Sequence, residues 1–194
     1  MKLNLPNKLT LIRCVLVPVF LAILLLPENL YVACLGAAAV FAIASLTDML
    51  DGHIARKYNL VTNFGKFMDP LADKLLVFSA LLGILCRFEE IRSVFVWVAF
   101  IVIFRELAVT SMRLVVAGGS GEVVAAKMIG KIKTVMQIAA ILIILLAPVL
   151  RTIGITGMQE NFLSYIAMIS MAGITIISGI DYIKNYWDFI SPDK

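Results

Sequence analysis

Apolar residues run along this chain in six long blocks, each ended by a short polar segment. The blocks predict helices over residues 9–26, 30–57, 65–86, 93–116, 123–146 and 162–187. They are too long for strands and close to the roughly 20 residues that cross a bilayer. The separators are Pro27-Glu28-Asn29, the polar loop 58–64, the mixed-charge run 87–92, the Gly-rich turn 117–121 and a loop over 148–161. Pro18 predicts a kink in the first helix. Pro70 predicts a third helix that is either kinked or newly started, with Asp69 as its cap. Residues 1–13 are basic with periodic leucines and predict a short amphipathic stretch on the membrane surface. Arg13 interrupts the first apolar run and no small-residue cleavage site follows Leu26, which predicts a retained anchor rather than a signal peptide. Tyr182, Tyr186 and Trp187 predict an interfacial aromatic belt near the end of the last helix.

Composition supports this pattern. Of the 194 residues, 61% are hydrophobic, and the mean hydropathy is +0.99. Soluble domains average about 45–50% apolar, so the expected class is an all-α integral membrane protein with six transmembrane helices. It forms one domain over 1–194, with no room for a separate soluble part. No internal repeat of 20–50 residues is visible. The net charge of +4 comes from basic residues near membrane boundaries. That distribution suits anionic headgroups or an anionic substrate, not nucleic acid. Cys14, Cys34 and Cys86 stand alone in apolar runs and are expected to be buried, small hydrophobic residues.

The basic residues also orient the chain. Both termini, the 56–74 region and the Arg113–Lys133 connection can be placed on one side. Only Arg87, Arg92 and Arg151 of the 17 lysines and arginines then lie on the other. The positive-inside rule makes the rich side cytoplasmic. The chain is thus expected in the cell membrane, with both termini and any site among these residues facing the cytoplasm.

The residues hardest to account for are four aspartates, Asp48, Asp51, Asp69 and Asp73, between apolar blocks. A charge at membrane depth costs roughly 2.5–3.5 kcal/mol on insertion scales and points to function by default. Asp48 and Asp51 are three apart, and Asp69 and Asp73 four apart, so each pair shares a helix face. The second helix would be about 40 Å long, which carries its last turns to an interface. Gly52, Ala55 and Gly65 fall near the acidic faces and would let two helices come close while leaving room for a ligand. Oxygen-only donors suit Mg²⁺ or Mn²⁺ rather than zinc. Arg56 and Lys57 add positive charge where an anionic substrate could sit. His53 is a lone histidine without a visible partner, read as structural. The bland alternative, aspartates merely paired with Arg56, Lys57, Lys66 and Lys74, does not explain four carboxylates with glycines at these spacings.

A second group, Arg105, Arg113, Lys131 and Lys133, flanks the Gly-rich turn. Some of these can be orientation signals with snorkelling side chains. Arg105 is deep in its helix, with only Glu106 adjacent. Cations converging beside a carboxylate site would bind a phosphate-bearing acceptor.

The run Asp48-x2-Asp51-Gly52-x2-Ala55-Arg56-x8-Gly65-x3-Asp69-x3-Asp73 resembles the complete signature of the CDP-alcohol phosphotransferase family. Three further segments resemble the bacterial branch whose acceptor is sn-glycerol 3-phosphate. They are Asn4-Leu5-Pro6-Asn7-x-Leu9-Thr10-x2-Arg13, Arg105-Glu106-Leu107 through Arg113, and Gly130-Lys131-x-Lys133-Thr134-x2-Gln137. The resemblance implies transfer of the phosphatidyl group from CDP-diacylglycerol to sn-glycerol 3-phosphate, giving phosphatidylglycerol phosphate and CMP. It implies two Mg²⁺ or Mn²⁺ ions held by Asp48, Asp51 and Asp69, with Asp73 both a ligand and the base. Gly52, Ala55 and Gly65 would admit the nucleotide, Arg56 would meet its diphosphate, and Arg105, Arg113, Lys131 and Lys133 would hold the acceptor phosphate. A homodimer among membrane lipids is also implied. The alternatives are another acceptor on the same fold (inositol phosphate, serine or phosphatidylglycerol) or, outside enzymes, a divalent-metal transporter.

Overall fold

The computed structural model describes residues 4–58, 62–119, 128–152, 154 and 161–190, without the side chains at 50–57, 66, 117–119 and 188–190. Within these residues the chain is all-α, with six helices: α1 (Leu5–Leu25), α2 (Leu30–Lys57), α3 (Asn63–Arg87), α4 (Arg92–Gly119), α5 (Met128–Thr152) and α6 (Phe162–Ile190). All but α3 are long and apolar enough to span a membrane by length and composition alone. In α3 the charges of Lys66, Asp69, Asp73 and Lys74 fill the first half, and the run from Leu75 to Cys86 is uncharged. The outer surface confirms a membrane protein. Ile169 is 71% exposed and Trp97 67%, whereas a soluble protein rarely exposes large contiguous apolar surface.

α1 begins four residues earlier than its apolar block. Asn4 caps it by accepting the Asn7 N–H at 3.1 Å, and Pro6 sits in the first turn where its missing N–H costs nothing. Residues 5–13 are therefore not a separate surface stretch. Their polar side chains Asn7, Thr10 and Arg13 continue the buried stripe of Val17, Phe20 and Leu24 at helical spacing. α3 is continuous through Pro70. Its cap is Thr62, which accepts the Gly65 N–H at 3.0 Å, so Asp69 is not the cap and its carboxylate is left for other partners. The expected 148–161 loop is also shorter, because Pro148 lies inside α5 and the helix runs on to Thr152.

Lipid tails give apolar helices no reason to associate, so close approach at small residues matters. A Cβ on Gly36 would come 2.8 Å from Ile23, and one on Gly83 2.8 Å from Leu24. These glycines seat α1 against α2 and α3, around a core that includes Phe20 and Phe41 with ring centroids 5.9 Å apart. α6 packs against both α4 and α5, α2 packs against α5, and α3 touches α4. Four helices, α2 to α5, thus surround a central cleft, while α1 backs its α2/α3 side and α6 its α4/α5 side. At the far end of the bundle, arginines tie helix ends together. Arg87 donates to the Pro27 carbonyl at 2.7 Å, and Arg92 to the Leu85 and Cys86 carbonyls at 2.8 and 3.1 Å. Of the cysteines, Cys34 is buried, Cys14 partly so, and Cys86 is exposed, contrary to the expectation of three buried thiols.

Candidate active site

The cleft has a volume of about 570 Å³ and opens between the end of α2, the start of α3, the second half of α4 and the start of α5. Asp48, Asp69 and Asp73 line one wall, and Arg105, Arg113, Lys131 and Lys133 the other. The two groups singled out from sequence, from four different helices, therefore share one cavity. The side chains of Asp51, Gly52, His53, Ala55 and Arg56 lie outside the described residues, although their backbone continues α2.

On the acidic wall, the partners come from α1. Thr10 Oγ1 donates to Asp69 Oδ1 at 2.7 Å. Arg13 is fully buried and its Nη1 lies 2.6 Å from Asp48 Oδ1. Thr62 donates to Asn7 Oδ1 at 3.1 Å, which ties the start of α3 to α1. Gly65 sits in this junction. A Cβ there would meet Asn7 Oδ1 at 3.1 Å and Thr62 Oγ1 at 3.3 Å, with Asp69 Oδ2 3.5 Å away. The missing side chain thus lets α1 reach the carboxylates. Asp48 thus pairs with a cation of another helix, Arg13.

On the basic wall, the partners come from α4 itself and from α6. Glu106 Oε1 accepts from the buried Lys133 and from Arg105 Nη1 at 3.2 Å. Arg105 Nη2 donates to Ser178 Oγ at 2.5 Å. Arg113 donates to the Tyr182 hydroxyl, and the Arg105 and Arg113 guanidinium carbons lie 5.4 and 5.1 Å from the centroid of that ring. Tyr182 is buried beneath these arginines and is not part of an interfacial belt. Trp187, one turn further on, is exposed. Glu106 neutralises only one of four positive charges, so the wall remains cationic. Two guanidiniums held against one aromatic ring repel each other and favour an anion between them.

Asp48, Asp69 and Asp73 supply carboxylate oxygens only, which suits a hard divalent cation. Among the described residues, no three His, Cys, Asp or Glu side chains already form a closed ligand set. The fourth signature carboxylate, Asp51, is not among the described side chains. The donor chemistry therefore fits the expected metal.

Several residues at this site escape a reading of the signature alone. Asn7, Thr10 and Arg13 looked like surface and interruption, yet their three-residue spacing places them on one helix face. Ser178 and Tyr182 carry an i, i+4 spacing within an apolar helix and nothing more.

Carboxylates facing cations across a cleft at the end of a membrane-spanning bundle define a membrane enzyme acting on phosphate esters. The CDP-alcohol phosphatidyltransferase family model matches residues 3–177. The chain belongs to that family. It is 45% identical over 205 residues to the CDP-diacylglycerol–glycerol-3-phosphate 3-phosphatidyltransferase of Bacillus subtilis, covering 98% of this chain and 99% of the relative. It is 38% identical over 181 residues to a probable phosphatidylglycerophosphate synthase of Mycobacterium tuberculosis, covering 93% and 80%. A CDP-diacylglycerol–glycerol-3-phosphate 3-phosphatidyltransferase of Wigglesworthia glossinidia brevipalpis is 34% identical over 189 residues, covering 95% and 100%.

Proposed function

We propose that this protein transfers the phosphatidyl group of CDP-diacylglycerol to sn-glycerol 3-phosphate, releasing CMP and forming phosphatidylglycerol phosphate. The observation that carries this reading is the single cleft with signature carboxylates on one wall and four cations on the other. The full-length likeness to the Bacillus subtilis enzyme supports the same acceptor.

In this reading Asp48, Asp51, Asp69 and Asp73 would hold two Mg²⁺ or Mn²⁺ ions, which would supply positive charge to offset that of the diphosphate and of the departing CMP. Arg56 contacts the diphosphate, Gly52 and Ala55 keep the α2 backbone open to the nucleotide, and Gly65 keeps Asp69 and α1 in register. Arg105, Arg113, Lys131 and Lys133 hold the acceptor phosphate, which fixes its free end toward the acidic wall. Asp73 takes the proton from the primary hydroxyl. That oxygen bonds to the phosphorus carrying diacylglycerol as the bond from this phosphorus to the CMP oxygen breaks. Thr10 and Arg13 orient the carboxylates; Ser178 and Tyr182 orient the arginines. The chain forms a single domain and works as a homodimer, in keeping with the family resemblance. Its cleft faces the cytoplasm, where CMP and glycerol phosphate are soluble, and the distribution of basic residues supports that orientation.

The test is CMP release by purified protein with CDP-diacylglycerol and Mg²⁺, comparing sn-glycerol 3-phosphate with inositol phosphate, serine and phosphatidylglycerol. Turnover with sn-glycerol 3-phosphate alone is expected. Turnover only with another acceptor would refute the assignment of the basic wall.

A further inference from the structure

Gln137 has no part in the wall pairings described above. It is 1% exposed, lines the cleft, and its Nε2 is buried without a hydrogen-bond partner among the described residues. A buried amide with an unsatisfied donor is costly and calls for an explanation. It lies one helical turn beyond Lys133 on the same face of α5, further from the basic start of that helix.

The neighbouring neutral groups are already engaged. Thr110 donates to the Glu106 carbonyl at 2.7 Å, Ser45 to the Phe41 carbonyl at 2.8 Å, and Thr134 to the Gly130 carbonyl at 3.1 Å. Those hydroxyl protons are spent, so among the described residues Gln137 is the neutral cleft side chain with a buried donor to spare. A charged ligand group would be better served by the cations beside it. An uncharged amide, offering one donor and one acceptor type, matches an alcohol.

The acceptor has one such alcohol unaccounted for. Its phosphate meets the basic wall and its primary hydroxyl reacts at Asp73. The secondary hydroxyl enters the same cleft and loses water, which is unfavourable unless a protein group replaces it. We infer that Gln137 binds the secondary hydroxyl of the acceptor and so sets specificity for a vicinal diol phosphate; this rests on the sn-glycerol 3-phosphate reading above. Both partners are unsatisfied without the contact, so the discrimination exceeds that of a surface hydrogen bond.

The experiment compares sn-glycerol 3-phosphate with 3-hydroxypropyl phosphate, which has the same phosphate and reacting hydroxyl but no secondary one. CMP release is followed for the wild type, Gln137→Leu and the nearly isosteric Gln137→Met. The wild type is expected to prefer sn-glycerol 3-phosphate by about tenfold or more in kcat/KM. Gln137→Leu should lose that preference by falling about tenfold on sn-glycerol 3-phosphate while changing little on the analogue. Gln137→Met, which keeps the length and loses both the amide donor and its carbonyl acceptor, provides the same ratio should the leucine variant not fold. An equal loss on both substrates, or a preference that survives both substitutions, overturns the inference and leaves the functional reading standing. Absence of wild-type turnover with sn-glycerol 3-phosphate overturns both.

Discussion

The two walls of the cleft are built alike but from different chemistry. Each is a pair of helices backed by a third, and in each the backing helix reaches through to the functional groups. α1 gives Thr10 and Arg13 to Asp69 and Asp48. α6 gives Ser178 and Tyr182 to Arg105 and Arg113. The acidic wall needs an arginine because clustered carboxylates repel one another. The basic wall needs a glutamate and an aromatic ring because clustered cations do. Charge at membrane depth is tolerable only where such partners exist, so the supporting helices follow from the chemistry they support. The walls should therefore fail differently: damage to one affects metal use and chemistry, damage to the other acceptor binding.

The largest separation should come from Asp73→Asn. It keeps the shape and removes the proposed base, so kcat should fall by about 10²–10⁴-fold while CDP-lipid binding partly survives. Single-turnover kinetics with a separate binding assay checks this, and full activity would remove Asp73 from the base role. On the opposite wall, Arg113→Ala removes the proposed charge-assisted contact to the acceptor phosphate, worth about 1.5–3 kcal/mol. The KM for sn-glycerol 3-phosphate should rise roughly 10- to 100-fold with kcat less affected. A fall in kcat at unchanged KM would break the division between the walls.

Smaller effects test the backing helices. Thr10→Val deletes the hydrogen bond to Asp69 from outside the ligand set. With Asp69 a ligand as proposed, the Mg²⁺ concentration for half-maximal activity should rise by about tenfold, as is usual when a partner of a metal ligand is lost. An unchanged metal requirement would reduce α1 to packing. The smallest effect is expected at the far end of the bundle, where Arg87 only ties α3 to the turn before α2. Arg87→Ala should lower Tm by about 2–4 °C, with kcat/KM within about twofold. A large loss of activity there would mean that the far end communicates with the cleft.

The membrane class, the six helices and the acidic signature were legible in the chain because they are local. Apolar block length reports a bilayer crossing, and carboxylates three or four residues apart share a helix face whatever surrounds them. The boundaries were less legible. α1 starts early because Asn4 and Pro6 form a cap that hydropathy does not register. α3 is capped by Thr62, two turns before Pro70, and passes through that proline. α5 runs past Pro148 to Thr152.

By itself, the sequence determined that charges of both signs must lie near the membrane and which residues carry them. Only the tertiary structure decided how they are matched. Arg13 lies 35 positions from Asp48, and Arg113 69 positions from Tyr182, so neither pairing has a periodicity that the chain could display. These contacts exist because glycines let α1 approach α2 and α3, and because α6 settles between α4 and α5. Spacing along one helix is set by the backbone, whereas contact between helices is set by how their surfaces pack.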